Sequence, residues 1–294
     1  MSAPERLSTG VPGLDELLGG GLLPGTLTVA SGATGIGKTQ LGLQFANAGQ
    51  AQEQRRGIIF DMCSRGDSQN HADYAQRMFD WRLTETDASR APDLTRFFDS
   101  LDNLGDYLRV FEYHGRRVTR ADMEFEAWQD WQGELSRKLS AAIAFFYGNF
   151  LRGVRRTVID GVEPVGRASE SIQFDLFEYV YHQVLRKDPE WVARDLFRER
   201  FRENSARIAS ATYDNKLIGC LLLYTSPEVM LEELAARPIE EGDVLSNANT
   251  VIYFGKIRSG NRLSRALYIA KHRGSACTDE IVPYTIDDRG LHVG

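Results

Sequence analysis

The chain has 294 residues, of which 42% are apolar or aromatic and 26% are charged, and it is long enough to bury a sizeable core. Its net charge of −6 argues against a duplex-DNA-binding protein, because such proteins carry concentrated basic surfaces. Three widely spaced cysteines, no signal-peptide pattern and no apolar run of roughly 20 residues predict a reduced, cytoplasmic protein without a membrane span.

Strands and helices alternate along most of the sequence. Apolar, β-branched runs predict strands over residues 26–31, 55–64, 107–113, 155–161 and 216–226. Helices are predicted over residues 38–49, 121–150 and 171–187, and Asp188 and Pro189 have the pattern of a cap and first turn opening a helix toward Tyr213. Beyond about residue 249, short β runs have hairpin character. This order predicts one α/β domain, a mostly parallel twisted sheet covered by helices on both faces.

Residues 30–42 read ASGATGIGKTQLG and contain the P-loop pattern G-x-x-x-x-G-K-[ST]. Glycines let backbone N–H groups surround a phosphate, and the helix that follows presents its positive end. Lys38 is expected to reach the β- and γ-phosphates of a nucleotide, and the Thr39 hydroxyl to bind Mg²⁺. The predicted contacts of Mg·ATP in this loop are Gly32, Ala33, Thr34, Gly35, Ile36, Gly37, Lys38, Thr39 and Gln40.

The strand RRTVIDG, residues 155–161, places Asp160 at its carboxyl end. P-loop proteins carry an acid beside the magnesium ion at the end of such an apolar strand, the Walker B strand. A lone strand-end aspartate is more often a turn residue, but the P-loop upstream favours Asp160 as the magnesium-side carboxylate. The five histidines lie far apart, which disfavours a metal site built on protein ligands alone.

Sequence on both sides of these motifs resembles a known family. STGVPGLDELLGGGLLPGTLTVASG, before the P-loop, resembles the opening of KaiC-type domains of the RecA superfamily, which includes the recombinases RecA and RadA. AKHRGSACTDEIVPYTIDDRGLHV is similar to their ending, where a K-x-R-G-[ST] strand precedes a hairpin that closes with I-x-D-x-G. The resemblance is strongest over residues 7–64, 154–162 and 217–294. It implies a RecA-like P-loop fold and a homo-oligomeric ring, a hexamer, with ATP between subunits.

The same resemblance extends the site to a neighbouring subunit. Lys271 and Arg273 match the K-x-R pair that reaches the γ-phosphate in trans, and Ser275 and Asp288 match positions on that trans side. A pair of cations is chemically suitable there, because phosphoryl transfer is helped chiefly by electrostatic stabilisation of the equatorial oxygens. From the residues alone, KHR reads as a solvated edge strand.

One position departs from the family pattern. KaiC-type domains carry the glutamates that activate water just past the second predicted strand, where this chain has Cys63 and Ser64. A thiol with an ordinary pKa near 8.5 is mostly protonated and is a poor base. Asp61 and Asp67 are possible substitutes, and Cys63 is either a small buried residue or a redox-sensitive thiol. The pattern predicts that ATP is bound and that its hydrolysis is slow or absent.

A second departure is a helical insertion at about residues 173–200, where KaiC-type domains have less sequence. Its apolar stripe, typical of a core, is also a candidate surface for a protein partner; it comprises Leu176, Phe177, Val180, Tyr181 and Val184. The basic cluster HGRRVTR, residues 114–120, reads as a solvated loop or the lining of a ring channel. Residues 225–242, where recombinases carry DNA-contacting loops, are acidic and match a phosphate backbone poorly.

These observations predict a KaiC-like protein that uses Mg·ATP as an assembly signal or switch. The alternative is a RadA-like recombinase paralogue acting on single-stranded DNA, which the acidic balance disfavours. A third reading is a structural protein in which ATP only joins subunits.

Overall fold

A computed structural model describes residues 5–63, 71–111, 125–162, 172–237, 244–274 and 276–294. In this part of the chain ten strands form one sheet. The strands are β1 (Leu27–Gly32), β2 (Ile58–Asp61), β3 (Glu85–Thr86), β4 (Tyr107–Arg109), β5 (Arg156–Val162), β6 (Gly219–Thr225), β7 (Thr250–Ser259), β8 (Arg262–His272), β9 (Val282–Asp287) and β10 (Gly290–Val293).

The sheet is mostly parallel, and its order is β10-β9-β8-β7-β1-β6-β5-β2-β4-β3. All pairs from β7 across to β3 are parallel, whereas β8, β9 and β10 are added antiparallel at one side. Strand β1 lies between β7 and β6, so the P-loop that follows it emerges near the middle of the sheet. The edge of the sheet at which β1, β2, β4 and β5 end is called the carboxyl edge below.

Helices cover both faces of this sheet. They are α1 (Leu14–Leu17), α2 (Lys38–Gln52), α3 (His71–Phe79), α4 (Phe125–Leu151), α5 (Ile172–Val180), α6 (Pro189–Phe197), α7 (Phe201–Ser210), α8 (Leu231–Ala236) and α9 (Val244–Asn247). A π-helical turn, Tyr181–Leu185, follows α5. No helix among the described residues is both long and apolar enough to cross a bilayer.

Successive residues of each central strand point to opposite faces, and each face has its own core. Ile59 packs with Phe45 of α2 and Leu14 of α1 in one cluster. Phe60 packs with Phe146 of α4 in the other, their ring centroids 5.1 Å apart, and helices α5 to α7 extend that cluster. Burial on both faces explains why the central strands read as continuous apolar runs.

The α/β architecture with a mostly parallel sheet is therefore confirmed, as are the strands and helices that carried strong patterns. Asp188 caps α6 as predicted, since its Oδ1 accepts a hydrogen bond from the Glu190 N–H at 2.9 Å. Helix α3 and the two-residue strand β3 were not predicted. The strands predicted over residues 55–64 and 107–113 are shorter than expected, because β2 ends at Asp61 and β4 at Arg109.

The apolar stripe of the insertion belongs to the core of this chain. Leu176, Phe177, Val180 and Val184 are at most 4% exposed, and the Tyr181 ring stacks on Phe177 with centroids 5.9 Å apart. The hypothesis that this stripe receives a protein partner is therefore wrong: its side chains fill the face of the sheet that α4 also covers. The basic cluster at residues 114–120 lies outside the described residues.

Candidate nucleotide-binding site

The P-loop connects the buried strand β1 to the first turn of α2. Gly35 and Gly37 have φ angles of 77° and 106°, a left-handed conformation that favours glycine. Gly32 is required for another reason, since a Cβ there would lie 2.2 Å from the Phe254 carbonyl oxygen of β7. The loop can therefore adopt this shape, with its backbone facing the start of α2, only with glycines at these positions.

Lys38 is the first residue of α2 and is 6% exposed. Its ammonium group donates hydrogen bonds to the carbonyl oxygens of Gly32, at 2.7 Å, and Ala33, at 2.8 Å. The Lys38 ammonium group is thereby held by the backbone of the P-loop. This places positive charge and the helix N-terminus at the same point of the carboxyl edge, an arrangement suited to a phosphate.

Thr39 and Asp160 meet although 121 residues separate them in the sequence. The Thr39 hydroxyl donates to Asp160 Oδ2 at 3.0 Å, and Asp160 Oδ1 accepts the Gly161 N–H at 2.7 Å. Asp160 is fully buried near the end of β5. A hydroxyl beside a carboxylate is a set of hard oxygen ligands that fits Mg²⁺, so the residues present agree with the ion that P-loop sites use.

His71, at the start of α3, lies between two buried carboxylates and was missed by the sequence analysis. Its Nε2 lies 3.1 Å from Asp160 Oδ2, and its Nδ1 lies 3.5 Å from Asp61 Oδ2. Burial alone would lower the pKa of His71, but Asp160 and Asp61 outweigh it and the pKa is raised. Burial likewise acts to raise the pKa of Asp160, and His71 and Lys38 outweigh it, so that pKa is lowered. Both shifts stabilise the protonated imidazole of His71 and the ionised carboxylate of Asp160 relative to the free side chains.

Asp61 is fully buried and bonded to its surroundings. Its Oδ1 accepts the Cys63 N–H at 2.8 Å and its Oδ2 accepts the Tyr107 hydroxyl at 2.5 Å. Burial, followed by the Asp61 charge, raises the pKa of Tyr107, which keeps that hydroxyl a donor. A carboxylate enclosed in this way is poorly placed to activate water, so the structure argues against Asp61 as the substitute base.

Asp61 is also the middle member of a row across the sheet. In the strand register it is the partner of Asp160 on β5 and of Arg109 on β4. The Arg109 Nε lies 3.9 Å from Asp61 Oδ2. The carboxyl edge thus carries a continuous series of charges from the P-loop toward β4. We call Asp160, Asp61 and Arg109 the charged row.

Cys63 lies two residues after Asp61 of the charged row and is 7% exposed. It packs against the backbone after Asp160: a Cβ on Gly161 would lie 2.7 Å from the Cys63 sulfur. This burial agrees with the reading of Cys63 as a small residue filling space. Ser64 and Asp67, the other residues considered there, lie outside the described residues.

A hairpin of β9 and β10 supports the P-loop from the side and was not foreseen as part of the site. The Tyr284 hydroxyl donates to the Ile36 carbonyl oxygen at 2.7 Å. Ile286 and Leu291 pack so closely on Gly37 that a Cβ there would lie 2.6 Å from the Ile286 Cδ1. The side chain of Gln44 on α2 binds both the N–H and the carbonyl of Leu291. The loop is therefore pinned by residues distant in sequence.

The predicted trans residues do not join the P-loop within one chain. Lys271 lies opposite Val251 near the amino end of β7, and its ammonium donates to the Ser246 carbonyl oxygen at 2.8 Å. Burial and the nearby Arg273 lower the pKa of Lys271. Asp288 lies instead in the exposed turn after β9, with Arg77 Nε 4.0 Å away, at the carboxyl edge. Ser275 lies outside the described residues.

A P-loop on the central strand, with a strand-end aspartate bound to the threonine after its lysine, defines a P-loop protein with a RecA-like fold. Residues 7–96 match the KaiC ATPase family. The circadian clock oscillator protein KaiC of Prochlorococcus marinus is 46% identical over 55 residues, which are 19% of this chain and 11% of the relative. KaiC of Rippkaea orientalis is 35% identical over 82 residues, which are 28% and 15% of the two chains.

The chain is therefore similar to the KaiC ATPase family over this N-terminal part. The matched segments span only 11% to 15% of the length of these relatives. The family match covers the opening segment, the P-loop, β2, α3 and β3, so it includes Lys38 and Thr39 but neither Asp160 nor the C-terminal hairpin.

Replacing Tyr284 with Phe tests the support of the P-loop. Loss of the hydroxyl leaves the Ile36 carbonyl without its buried donor, and we expect the free energy of unfolding to fall by about 1–3 kcal/mol. Urea denaturation followed by circular dichroism measures the change. Tyr268→Phe, on the adjacent strand β8, is the matched control and should change stability little. Equal stability of the two variants would contradict a role for the Tyr284 hydroxyl.

Proposed function

We propose that the chain binds Mg·ATP in the P-loop and uses it as a signal for assembly into a ring. The observation that carries the proposal is the contact between Thr39 and Asp160 beside the buried ammonium of Lys38. It joins a loop shaped for phosphate to a pair of oxygen ligands suited to a divalent cation. The match of residues 7–96 to the KaiC ATPase family supports the same nucleotide.

Each group at the site has a part in holding ATP. The loop amides between Gly32 and Lys38 would donate to the β-phosphate, and the Lys38 ammonium would exchange its two carbonyl partners for oxygens of the β- and γ-phosphates. Thr39 and Asp160 would hold Mg²⁺, the Thr39 hydroxyl directly. When bound, Mg²⁺ would neutralise charge on the phosphates.

Hydrolysis is proposed to be slow. Cys63 occupies the position of the family glutamate, and the neighbouring carboxylates Asp61 and Asp160 are both fully buried and hydrogen-bonded within the chain. A general base contributes about 10²–10⁴-fold to a rate, whereas positioning and charge stabilisation do not depend on it. ATP would therefore remain bound long enough to serve as a structural signal.

The location of Lys271 and Arg273 supports a ring with ATP at subunit interfaces. Strand β8 ends at the amino edge of the sheet, opposite the P-loop at the end of β1. In one chain the pair therefore cannot reach phosphates held by Lys38, so a role at the γ-phosphate requires a second copy. We propose a homo-oligomer, a hexamer as the resemblance implies, in which ATP stabilises the interface by mass action. Asp288 would contribute from the carboxyl edge, apart from this pair.

The recombinase alternative receives no support from the described residues. After β6, helix α8 presents the exposed Glu232 and Glu233 in its first turn, and these carboxylates would repel a DNA backbone. Measuring ATP turnover with and without single-stranded DNA separates the candidates: stimulation by DNA supports a recombinase, slow turnover independent of DNA supports the switch, and no turnover supports ATP as a purely structural ligand.

Lys38→Ala tests the nucleotide site. Without the ammonium the phosphates lose their main side-chain partner, and we expect Mg·ATP to raise the melting temperature of the wild type but not of the variant. Lys216→Ala, which removes an exposed lysine far from the loop, is the control and should behave as wild type. Thermal stabilisation of Lys38→Ala equal to wild type would show that the P-loop assignment is wrong.

Arg273→Ala tests the interface. Light scattering should report a larger particle with Mg·ATP than without it, and the variant should weaken that difference while keeping the fold. The control is Arg262→Ala, because Arg262 is an exposed arginine at the other end of the same strand, β8. A wild-type protein that remains monomeric at every concentration of Mg·ATP would refute the trans assignment.

Cys63→Glu tests the missing base. If the rest of the site is intact, we expect ATP hydrolysis at least about tenfold faster than in the wild type, a conservative fraction of what a general base supplies. Cys63→Gln has nearly the same size without the charge and should gain nothing. Binding of Mg·ATP, measured by thermal shift, confirms that both variants fold.

Two results would contradict this account. One is a Cys63→Glu protein that folds, binds Mg·ATP and hydrolyses it no faster. The other is wild-type turnover that falls to background in Asp61→Asn, which would make Asp61 the base despite its burial.

A further inference from the structure

A pocket of about 320 Å³ opens at the carboxyl edge where β4 ends, at the far end of the charged row from the P-loop. It is lined by Arg109 at the end of β4 and Val110 just after it, by Glu85 and Asp87 from β3 and the turn after it, and by Lys138 from α4. Its volume lies at the lower limit of ligand-binding pockets in proteins, about 300–1,000 Å³. It would therefore suit a small molecule.

The lining carries both signs of charge. Two cations, Arg109 and Lys138, face the same space as two carboxylates, Glu85 and Asp87. Asp87 is already satisfied within the chain: its Oδ1 accepts the N–H and hydroxyl of Ser89, and Arg90 Nε lies 3.2 Å from its Oδ2. Glu85 is exposed, and its carboxylate makes no such contacts with the part of the chain that the structure describes. A pocket with balanced charge favours a ligand that carries both charges over a simple anion or cation.

Arg109 is not fully hydrogen-bonded beside this pocket. Among the described residues its buried Nε has no hydrogen-bond partner, since Asp61 Oδ2, 3.9 Å away, is too far for a hydrogen bond. The side chain is 38% exposed, so the guanidinium is accessible from the pocket it lines. A guanidinium has five N–H donors in a planar arrangement that matches a carboxylate.

We propose that this pocket binds a small zwitterion of amino-acid size. Its carboxylate would bind Arg109, with Lys138 adding positive charge, and its ammonium group would bind Glu85. Ala88, which is 8% exposed, and Val110, which is 2% exposed, supply an apolar wall for the carbon atoms between the two charges. Recognition of both ends requires that the ligand carry both charges on one short skeleton.

The charged row connects this pocket to the nucleotide site. A carboxylate bound to Arg109 competes with Asp61 for the same guanidinium, and Asp61 in turn faces His71, whose Nε2 contacts Asp160. Ligand binding therefore changes the electrostatic surroundings of the oxygens beside Thr39. This coupling rests on the proposed binding of Mg·ATP. Binding of the zwitterion itself does not depend on that proposal. Any coupling must change the two binding affinities by the same factor.

The test uses the whole protein without nucleotide and offers each standard L-amino acid separately, with acetate and ethylamine as probes of the two charges. Thermal shift identifies binders, and titration calorimetry gives their affinity. We expect at least one amino acid to bind. Its affinity should fall at least about tenfold in Arg109→Ala and in Glu85→Gln, since each variant removes a charged partner. Arg82→Ala, an exposed arginine nearby, is the control and should not change it.

The outcomes separate the parts of the proposal. If no amino acid binds, or if binding survives Arg109→Ala and Glu85→Gln, the pocket is not a zwitterion site. Another outcome is that acetate binds as tightly as the best amino acid, with binding lost in Arg109→Ala but not in Glu85→Gln. That result would make the pocket a simple anion site and overturn the proposal. A change of about threefold or more in Mg·ATP affinity with the amino acid bound supports the coupling. An unchanged affinity in a protein that binds both ligands would refute the coupling and leave the zwitterion site standing.

Discussion

Two buried carboxylates stand side by side at the carboxyl edge because parallel pairing makes Asp61 the register partner of Asp160. Like charges in a buried environment repel, and burying each of them is costly unless a partner compensates. His71 lies between them, and Tyr107 and Thr39 donate hydroxyl hydrogens to one each. The arrangement of the site depends on this compensation, since it holds Asp160 ionised and fixed beside the hydroxyl that follows the P-loop lysine.

The same compensation would account for the proposed combination of ATP binding with slow hydrolysis. Charged side chains that contact one another inside the chain orient ligands well, because their positions are fixed before a ligand binds. They are poorly suited to take a proton from water, because they are buried and each already accepts hydrogen bonds from within the chain. Cys63, packed against the Gly161 backbone, adds no base of its own. A site of this kind suits a protein that responds to the presence of a nucleotide.

Features that depend on residues close together in the sequence could be predicted from short sequence patterns. The P-loop is specified by glycines that reach φ angles other residues avoid, and the cap of α6 by one aspartate before a proline. Asp160 could be predicted because an apolar strand ending in an acid has a known place beside a P-loop. His71 belongs to no pattern, and its role arises only when α3 packs against β2 and β5. The stripe on α5 could be read as core or as a partner surface, because periodicity shows that a face is buried and not what covers it.

The hydrogen bond between Tyr284 and Ile36 joins residues 248 positions apart. During synthesis the glycine loop leaves the ribosome early, whereas the side chain that holds its carbonyl follows only after β9 has been made. The hairpin also binds the opening segment, where the Val293 N–H donates to the Pro12 carbonyl oxygen. A nascent chain thus carries the complete phosphate-binding sequence long before it carries the supported loop. Support of the P-loop by Tyr284 is thereby deferred until β9 has been translated.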